Sequence, residues 1–214
     1  MYVDKSIKEY LRVVQSGDPT PGGGSVCSLV SSLGAALTLM TSNLSFDKKY
    51  FKELDPSIQE KMKTSHENID ESIGKINNFI DEDAEGFAAV IEEHSKGEGK
   101  TELEKEDRKR KLEESYKKAL ETPLNCSREC LKLLKNQKTI VEYGSDDTIT
   151  DVGVGVILVY AALEGCVISI KINLKAIDDE EYVSSIEEEI NDIYKESSGI
   201  KKELVEEVDK IVEP

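Results

Sequence analysis

Hydrophobic and polar residues divide the chain into charged amphipathic segments and two almost uncharged ones. Residues 19–46 contain no charged side chain, and residues 152–172 contain only Glu164 and Lys171. A helix without a charged face is typical of a buried position, and the frequent Ser, Ala and Gly allow close helix packing. We therefore predict buried helices over 25–44 and 152–172. In the second segment Val and Ile are frequent, so a buried strand is the alternative, but the length favours a helix.

The remaining segments carry apolar residues at helical spacing among many charges. They predict helices over 3–16 (with Ile7, Leu11 and Val14 on one face), 56–95, 101–121, 122–136 and 186–212. Pro56 is expected in a first helical turn, and Thr122-Pro123 has the pattern of an N-cap followed by proline at the first helical position. Loops are predicted over 16–25, 94–104 and 138–150. The sum is an all-α bundle with two buried central helices, in a single domain over 1–214 whose residues 186–214 form a charged C-terminal helix.

Composition narrows the classes of partner. The 214 residues include 44 acidic and 28 basic ones, a net charge of −16, which argues against nucleic acid and against an anionic membrane surface. The first residues lack the apolar core of a signal peptide, so a cytoplasmic location is expected. Cys27, Cys126, Cys130 and Cys166 form no CxxC pair and the two histidines lie far apart. We therefore expect free buried thiols and no metal site.

The loop with the sequence PTPGGGS, residues 19–25, is the first candidate for chemistry. Consecutive glycines let the backbone approach a ligand closely, and N–H groups at the start of a helix bind anions or polar groups. The loop lacks the GK[ST] of a Walker A motif and the spacing of a dinucleotide fingerprint. The alternative is a merely flexible connection.

Asp83 is the second candidate, because it interrupts an apolar stripe. The stripe follows three- and four-residue steps through Ile69, Ile73, Ile76, Ile80, Asp83, Phe87 and Val90. Burial of a carboxylate is costly and raises its pKa toward the range that suits general acid–base catalysis. The alternative is a structural partner of a Lys, an Arg or a helix terminus. Asp81 falls on another side of the helix and is expected to be solvated.

Two further charged groups have functional and structural interpretations. Asp151 stands at the start of the second uncharged segment, where it would bind a ligand or simply favour the first helical turn. Lys48 and Lys49 follow the first uncharged segment, where they would receive a carboxylate-bearing ligand or remain solvated at a helix C-terminus.

Together these motifs resemble those of a known family. PTPGGGSV, MTSNLSFDKKY, DEDAEGF, Arg108 before a Pro-Leu, TDVGVG and INLKAIDD occur in the order found in the cyclodeaminase domain of formiminotransferase-cyclodeaminase and in stand-alone methenyltetrahydrofolate cyclohydrolases. The resemblance covers about residues 1–185. It implies an all-helical homodimer that binds a reduced folate, with no cofactor or metal beyond that tetrahydrofolate substrate.

The resemblance also implies roles for individual residues. Asp83 would be the catalytic acid–base group. The substrate-binding residues would be Pro21, Gly22, Gly23, Gly24, Ser25, Asn43, Lys48, Lys49, Arg108, Asp151 and Asn173. The folate glutamate tail is anionic, which suits Lys48, Lys49 or Arg108.

The chain departs from the family pattern at two positions. Ser145 and Ser169 stand where relatives usually have asparagine, and serine lacks the paired donor and acceptor of an amide. The choice between cyclodeaminase and cyclohydrolase activity stays open at this point. A non-catalytic helical binding protein that retains the fold is the alternative function.

Overall fold

Residues 1–212 of the computed structural model form seven α-helices joined by short connections, with one 3-10 turn and no strand among them. The helices are α1 (Ile7–Val14), α2 (Gly23–Phe46), α3 (Lys49–Glu53), α4 (Pro56–Ser95), α5 (Glu102–Tyr143), α6 (Ile149–Leu174) and α7 (Glu180–Val212), and the 3-10 turn is Asp146–Thr148. The all-α prediction is confirmed. The last two residues of the predicted 186–214 segment lie outside the described residues.

Helices α2 and α6 pack against each other in antiparallel directions. A Cβ atom on Gly34 would lie 2.6 Å from the Gly155 carbonyl oxygen, and one on Gly155 would lie 2.5 Å from that of Gly34. Such distances require glycine on both helices, since any side chain would force the backbones apart. Further along the pair, the Thr41 hydroxyl donates to the Thr148 carbonyl over 3.2 Å. The small residues of both segments therefore serve close packing, as predicted.

The charged helices surround this pair on part of its circumference. Helix α4 packs on α2, α7 packs on α6, and α5 contacts α2, α4, α6 and α7. Both α2 and α6 are long and apolar enough to cross a membrane by length and composition, a criterion that core helices also meet. About half of the residues in each apolar window are buried inside the bundle, which is the arrangement expected of core helices.

One face of each central helix is left uncovered, so the expectation of complete burial was too strong. The exposed apolar residues are Leu33, Met40 and Leu44 on α2 and Val154, Ile157, Ile168 and Ile172 on α6. We call these seven residues the α2/α6 face. The flanking helices are amphipathic and cover the other sides, which leaves this face without a partner among residues 1–212.

The predicted break at Thr122-Pro123 is wrong, because α5 runs through it from Glu102 to Tyr143. Its real N-cap is Thr101, which forms a capping box with Glu104. The predicted loop over 138–150 also shrinks, since Ile140 and Val141 are buried in the core and extend the helix. Tertiary packing therefore outweighs the local signal of proline at this position.

Candidate functional site

Asp83 caps the N-terminus of α2 from a different helix. The N-cap residue of α2 is Gly22, which has no side chain to accept the free N–H groups of the first turn. The Asp83 carboxylate takes this role, because its Oδ2 accepts a hydrogen bond from the Ser25 N–H over 2.8 Å. The interpretation of Asp83 as a partner of a helix terminus is thus confirmed as far as this contact goes.

Gly24 makes this approach possible. A Cβ atom on Gly24 would lie 2.0 Å from Asp83 Oδ1 and 2.5 Å from Asp83 Cγ. No other residue type could occupy this position without displacing the carboxylate. The glycine run therefore has a structural use at Gly24, which excludes the alternative of a merely flexible connection at that residue.

Burial determines the acidity of Asp83. Loss of solvent raises the pKa of its carboxyl group to about 6, against the opposing effect of the Ser25 N–H, which stabilises the carboxylate. Within residues 1–212 no Lys, Arg or His side chain forms an ion pair with it. A carboxyl group of this kind is mostly ionised at neutral pH and yet easily protonated, as general acid–base catalysis requires.

A small cavity of about 140 Å³ opens beside Asp83. It is lined by Pro19, Gly22, Gly23, Gly24, Asp83, Phe87, Ala119, Ser169, Ile172 and Asn173. Ser169 and Asn173 stand one turn apart on α6, and neither side chain has a hydrogen-bond partner within the described part of the chain. The proline at position 123 also has no N–H to pair with the Ala119 carbonyl, four residues earlier on α5. The cavity thus combines a carboxylate with several free polar groups.

Comparisons with known proteins identify the family. The family model for formiminotransferase-cyclodeaminase matches residues 6–192. This chain belongs to the formiminotransferase-cyclodeaminase family. The methenyltetrahydrofolate cyclohydrolase of Methylorubrum extorquens is 28% identical over 205 residues, covering 96% of each chain. The crystal structure of formiminotetrahydrofolate cyclodeaminase from Thermotoga maritima superimposes with a TM-score of 0.77 at 25% identity, covering 98% of this chain and 96% of that one.

Relatives with two activities in their names are much longer. The formimidoyltransferase-cyclodeaminase of Gallus gallus is 28% identical over 195 residues, which are 91% of this chain but 35% of the relative. The chain therefore corresponds to about a third of that protein, and the activities of the whole relative do not transfer to it by similarity alone.

Four residues that the sequence predicts at the substrate lie at the opposite end of α2 from Asp83. They are Asn43, Lys48, Lys49 and Asp151. Gly24 and Asn43 are 19 residues apart on one helix, a separation of about 28 Å. Lys48 forms an ion pair with Asp147 at 3.1 Å, and Lys49 forms one with Glu53 at 3.3 Å. Within one chain, the predicted site residues other than Arg108 form two groups, one at each end of α2.

Arg108 belongs to neither group. Its guanidinium donates to the Glu93 carboxylate over 3.1 Å, to the Glu93 carbonyl over 2.7 Å and to the Gly97 carbonyl over 3.2 Å. These three bonds hold the connection between α4 and α5 in place. A role in binding the glutamate tail stays a prediction, and it would require the release of part of this network.

Asp81 and Cys27 differ from expectation. Asp81 is not simply solvated, because its carboxylate accepts the backbone N–H groups of Tyr2 and Val3. The four cysteines are free, and three are buried while Cys27 is partly exposed. No group of three or more metal-ligating side chains occurs in residues 1–212.

The main residue missed by the sequence argument is Tyr10. The predicted apolar face of α1 is exposed, with Ile7 at 77% and Leu11 at 58%, whereas Tyr10 is only 5% exposed. Its hydroxyl lies 2.9 Å from the Ser25 hydroxyl, next to Asp83. Nothing in the spacing of α1 indicated this contact, since Tyr10 stands among charged residues.

Proposed function

We propose that this protein is a folate one-carbon enzyme, acting as formimidoyltetrahydrofolate cyclodeaminase, as methenyltetrahydrofolate cyclohydrolase, or as both. The family and the names of its relatives support a reduced folate as the substrate. The observation that carries the proposal is the position of the Asp83 carboxyl group, whose pKa is raised, between the first turn of α2 and the free side chains of Ser169 and Asn173.

Both reactions would use one proton shuttle. In the cyclohydrolase reaction water adds to the methenyl carbon and Asp83 takes one of its two protons. The same proton then passes to the folate nitrogen whose bond to carbon breaks, and the remaining hydroxyl proton is released to solvent as the formyl carbonyl forms. In the cyclodeaminase reaction a folate N–H nitrogen attacks the carbon of the protonated formimino group, and Asp83 takes the proton of the attacking nitrogen. Asp83 returns that proton to the amino group, which leaves as ammonia while the methenyl cation forms. A carboxylate also suits the cationic methenyl carbon electrostatically. Neither step calls for a metal ion in this proposal.

Substrate binding is assigned to the cavity and to its surroundings. Gly22 and Gly23 line the cavity at the start of α2, directly after Pro21, and Asn173 with Ser169 would bond the polar edge of the pterin ring. The side chain of Ser169 is shorter than that of an asparagine, so the ring would have to lie closer to α6 to form this hydrogen bond. The glutamate tail would be received by Lys48, Lys49 or Arg108, whose present partners are carboxylates and carbonyls.

We further propose a homodimer that packs through the α2/α6 face. A cavity of about 140 Å³ is too small to enclose a folate, because ligand sites usually measure about 300–1,000 Å³. Ile168 and Ile172 are 69% and 61% exposed, and Ile172 also lines the cavity. A second copy on this face would cover the apolar residues and deepen the site. In a two-fold dimer the α2 helices of the two copies would pack antiparallel to each other. Asn43 and Lys48 of one copy would then approach the Asp83 site of the other.

The activity is tested on the purified protein with both substrates. We expect faster loss of methenyltetrahydrofolate absorbance, or its formation from formiminotetrahydrofolate with release of ammonia, each measured against the uncatalysed rate. The ratio of the two rates on one preparation identifies the main reaction. The alternative, a non-catalytic helical binding protein, predicts neither rate, and calorimetric titration with a reduced folate then decides whether any folate binds.

The dimer is tested with a charge placed in the α2/α6 face. Ile157→Glu is expected to convert the dimer to a monomer in analytical ultracentrifugation and to lower folate affinity in parallel. Leu103→Glu is the matched control, because Leu103 is 80% exposed at the start of α5, away from that face. A wild-type protein that sediments as a monomer at micromolar concentration would refute the proposed dimer.

The proposed location is the cytoplasm, where reduced folates and free thiols are both maintained.

A further inference from the structure

The N-terminal segment, residues 1–14, is attached to the surroundings of Asp83 by three hydrogen bonds. Tyr10, on α1, is buried and its hydroxyl lies 2.9 Å from Ser25 Oγ. The Tyr2 and Val3 N–H groups bond Asp81, two residues before Asp83 on α4. The segment therefore contacts both sides of the site, the start of α2 through Tyr10 and α4 through Asp81.

The direction of each hydrogen bond follows from counting protons. Ser25 Oγ donates its only proton to the Ile80 carbonyl over 2.7 Å. Its bond with Tyr10 must then use the phenol as donor. The Ser25 N–H, in turn, donates to Asp83 Oδ2 over 2.8 Å. A continuous chain of donors thus runs from the Tyr10 phenol to Ser25, which is fixed between α1, α4 and the carboxylate.

We propose that Tyr10 is a positioning residue for Asp83, which holds Ser25 so that its N–H stays directed at the carboxylate. The expected effect on the rate rests on the proposed function, whereas the expected effect on the pKa of Asp83 does not. Apolar packing alone would not require the hydroxyl, since a phenylalanine would fill the same space. The Tyr10 hydroxyl forms its hydrogen bond with Ser25 Oγ. Ser25 is also the residue whose backbone N–H donates to Asp83.

The electrostatic surroundings support this role. Burial raises the pKa of the Tyr10 hydroxyl, so the phenol remains a donor at neutral pH. The titratable groups near Asp83 are Tyr10 on α1, Cys27 on α2, Asp81 on α4 and Cys126 on α5. None of these is a cation, so the Ser25 N–H is the main contact that favours the ionised carboxylate. A looser Ser25 should therefore raise the pKa of Asp83 further.

The test is Tyr10→Phe, with Tyr2→Phe as the matched control. Tyr2 stacks edge-on against Tyr10 with ring centroids 6.5 Å apart, and its hydroxyl has no hydrogen-bond partner within residues 1–212. We expect Tyr10→Phe to lower kcat about two- to tenfold, the equivalent of one buried hydrogen bond. The acid limb of its pH–rate profile should move to higher pH, whereas Tyr2→Phe should behave like the wild type.

A second readout keeps this inference separate from the proposed function. Carbon-13 NMR of aspartate-labelled protein, assigned with Asp83→Asn, follows the ionisation of Asp83 without any substrate. A higher titration midpoint in Tyr10→Phe supports the positioning role even if no folate reaction is found. Should Tyr10→Phe fail to fold, Ser25→Ala removes the acceptor while it keeps the N–H, and the same rise is expected. A titration midpoint equal to that of the wild type in the variant that folds would overturn the inference.

Discussion

The two ends of α2 lie in opposite environments, although the helix between them carries no charge. At its N-terminus the Asp83 carboxylate is partly buried, accepts one backbone N–H and has no cationic partner. At its C-terminus Lys48 pairs with Asp147, and their side chains are 47% and 76% exposed. Charges in water are screened and interact weakly, whereas a buried unpaired charge changes its pKa. Chemistry is therefore expected at the first end and electrostatic binding at the second.

Replacement of the carboxyl group is the most severe way to test this contrast. We expect Asp83→Asn to lower kcat by about two to four orders of magnitude, because the amide cannot exchange a proton with the reacting atoms. The rates of both folate reactions measure the effect. Glu82→Gln is the matched control, since Glu82 is the exposed neighbour on the same helix. Full activity of Asp83→Asn would remove Asp83 from the catalytic role.

A methyl group at Gly24, in the first turn of α2, should have the next largest effect. In Gly24→Ala the new Cβ would overlap Asp83 Oδ1, so the carboxylate must move by about 1 Å or more. Displacements of this size cost about a hundredfold in rate in other enzymes, and we expect a loss of about ten- to a hundredfold in kcat. Gly17→Ala is the control, because no atom lies within 4 Å of its hypothetical Cβ. Equal kinetics of the two variants would show that the close approach at Gly24 is irrelevant to the rate.

The sequence predicted more of the fold than of the contacts around Asp83. The uncharged segments and the periodicity of α4 predicted the central pair and placed Asp83 on the buried side of α4, because burial follows directly from hydrophobic pattern. The helix over Pro123 was missed, since long-range packing of α5 overrides a local breaker. The Asp83–Ser25 bond and the role of Tyr10 depend on which helices meet, and single-chain periodicity contains no information about that.

The exposed end of α2 should respond far less to substitution. Lys48→Gln is expected to raise KM for a polyglutamylated folate about two- to fivefold and to leave kcat unchanged, as the loss of a solvated charge usually costs less than about 1 kcal/mol. The effect should fade at high salt. Lys52→Gln, on the exposed side of α3, is the control. A large fall in kcat for Lys48→Gln would mean that this end of α2 takes part in the chemistry.

The last expected effect is on stability and not on rate, and it has a defined sign. The pKa of Asp83 rises from 3.8 to about 6 on folding, so its contribution to stability is fully present below pH 4 and is lost as the pH rises to about 6. Asp83→Asn lacks this loss, because an amide does not ionise. The variant should therefore match the wild type near pH 4 and be more stable above pH 6, by about 2–3 kcal/mol. Thermal unfolding at several pH values, with Glu82→Gln beside it, measures the difference. A difference in Tm that does not change with pH would mean that burial of the Asp83 carboxylate carries no cost in the folded protein.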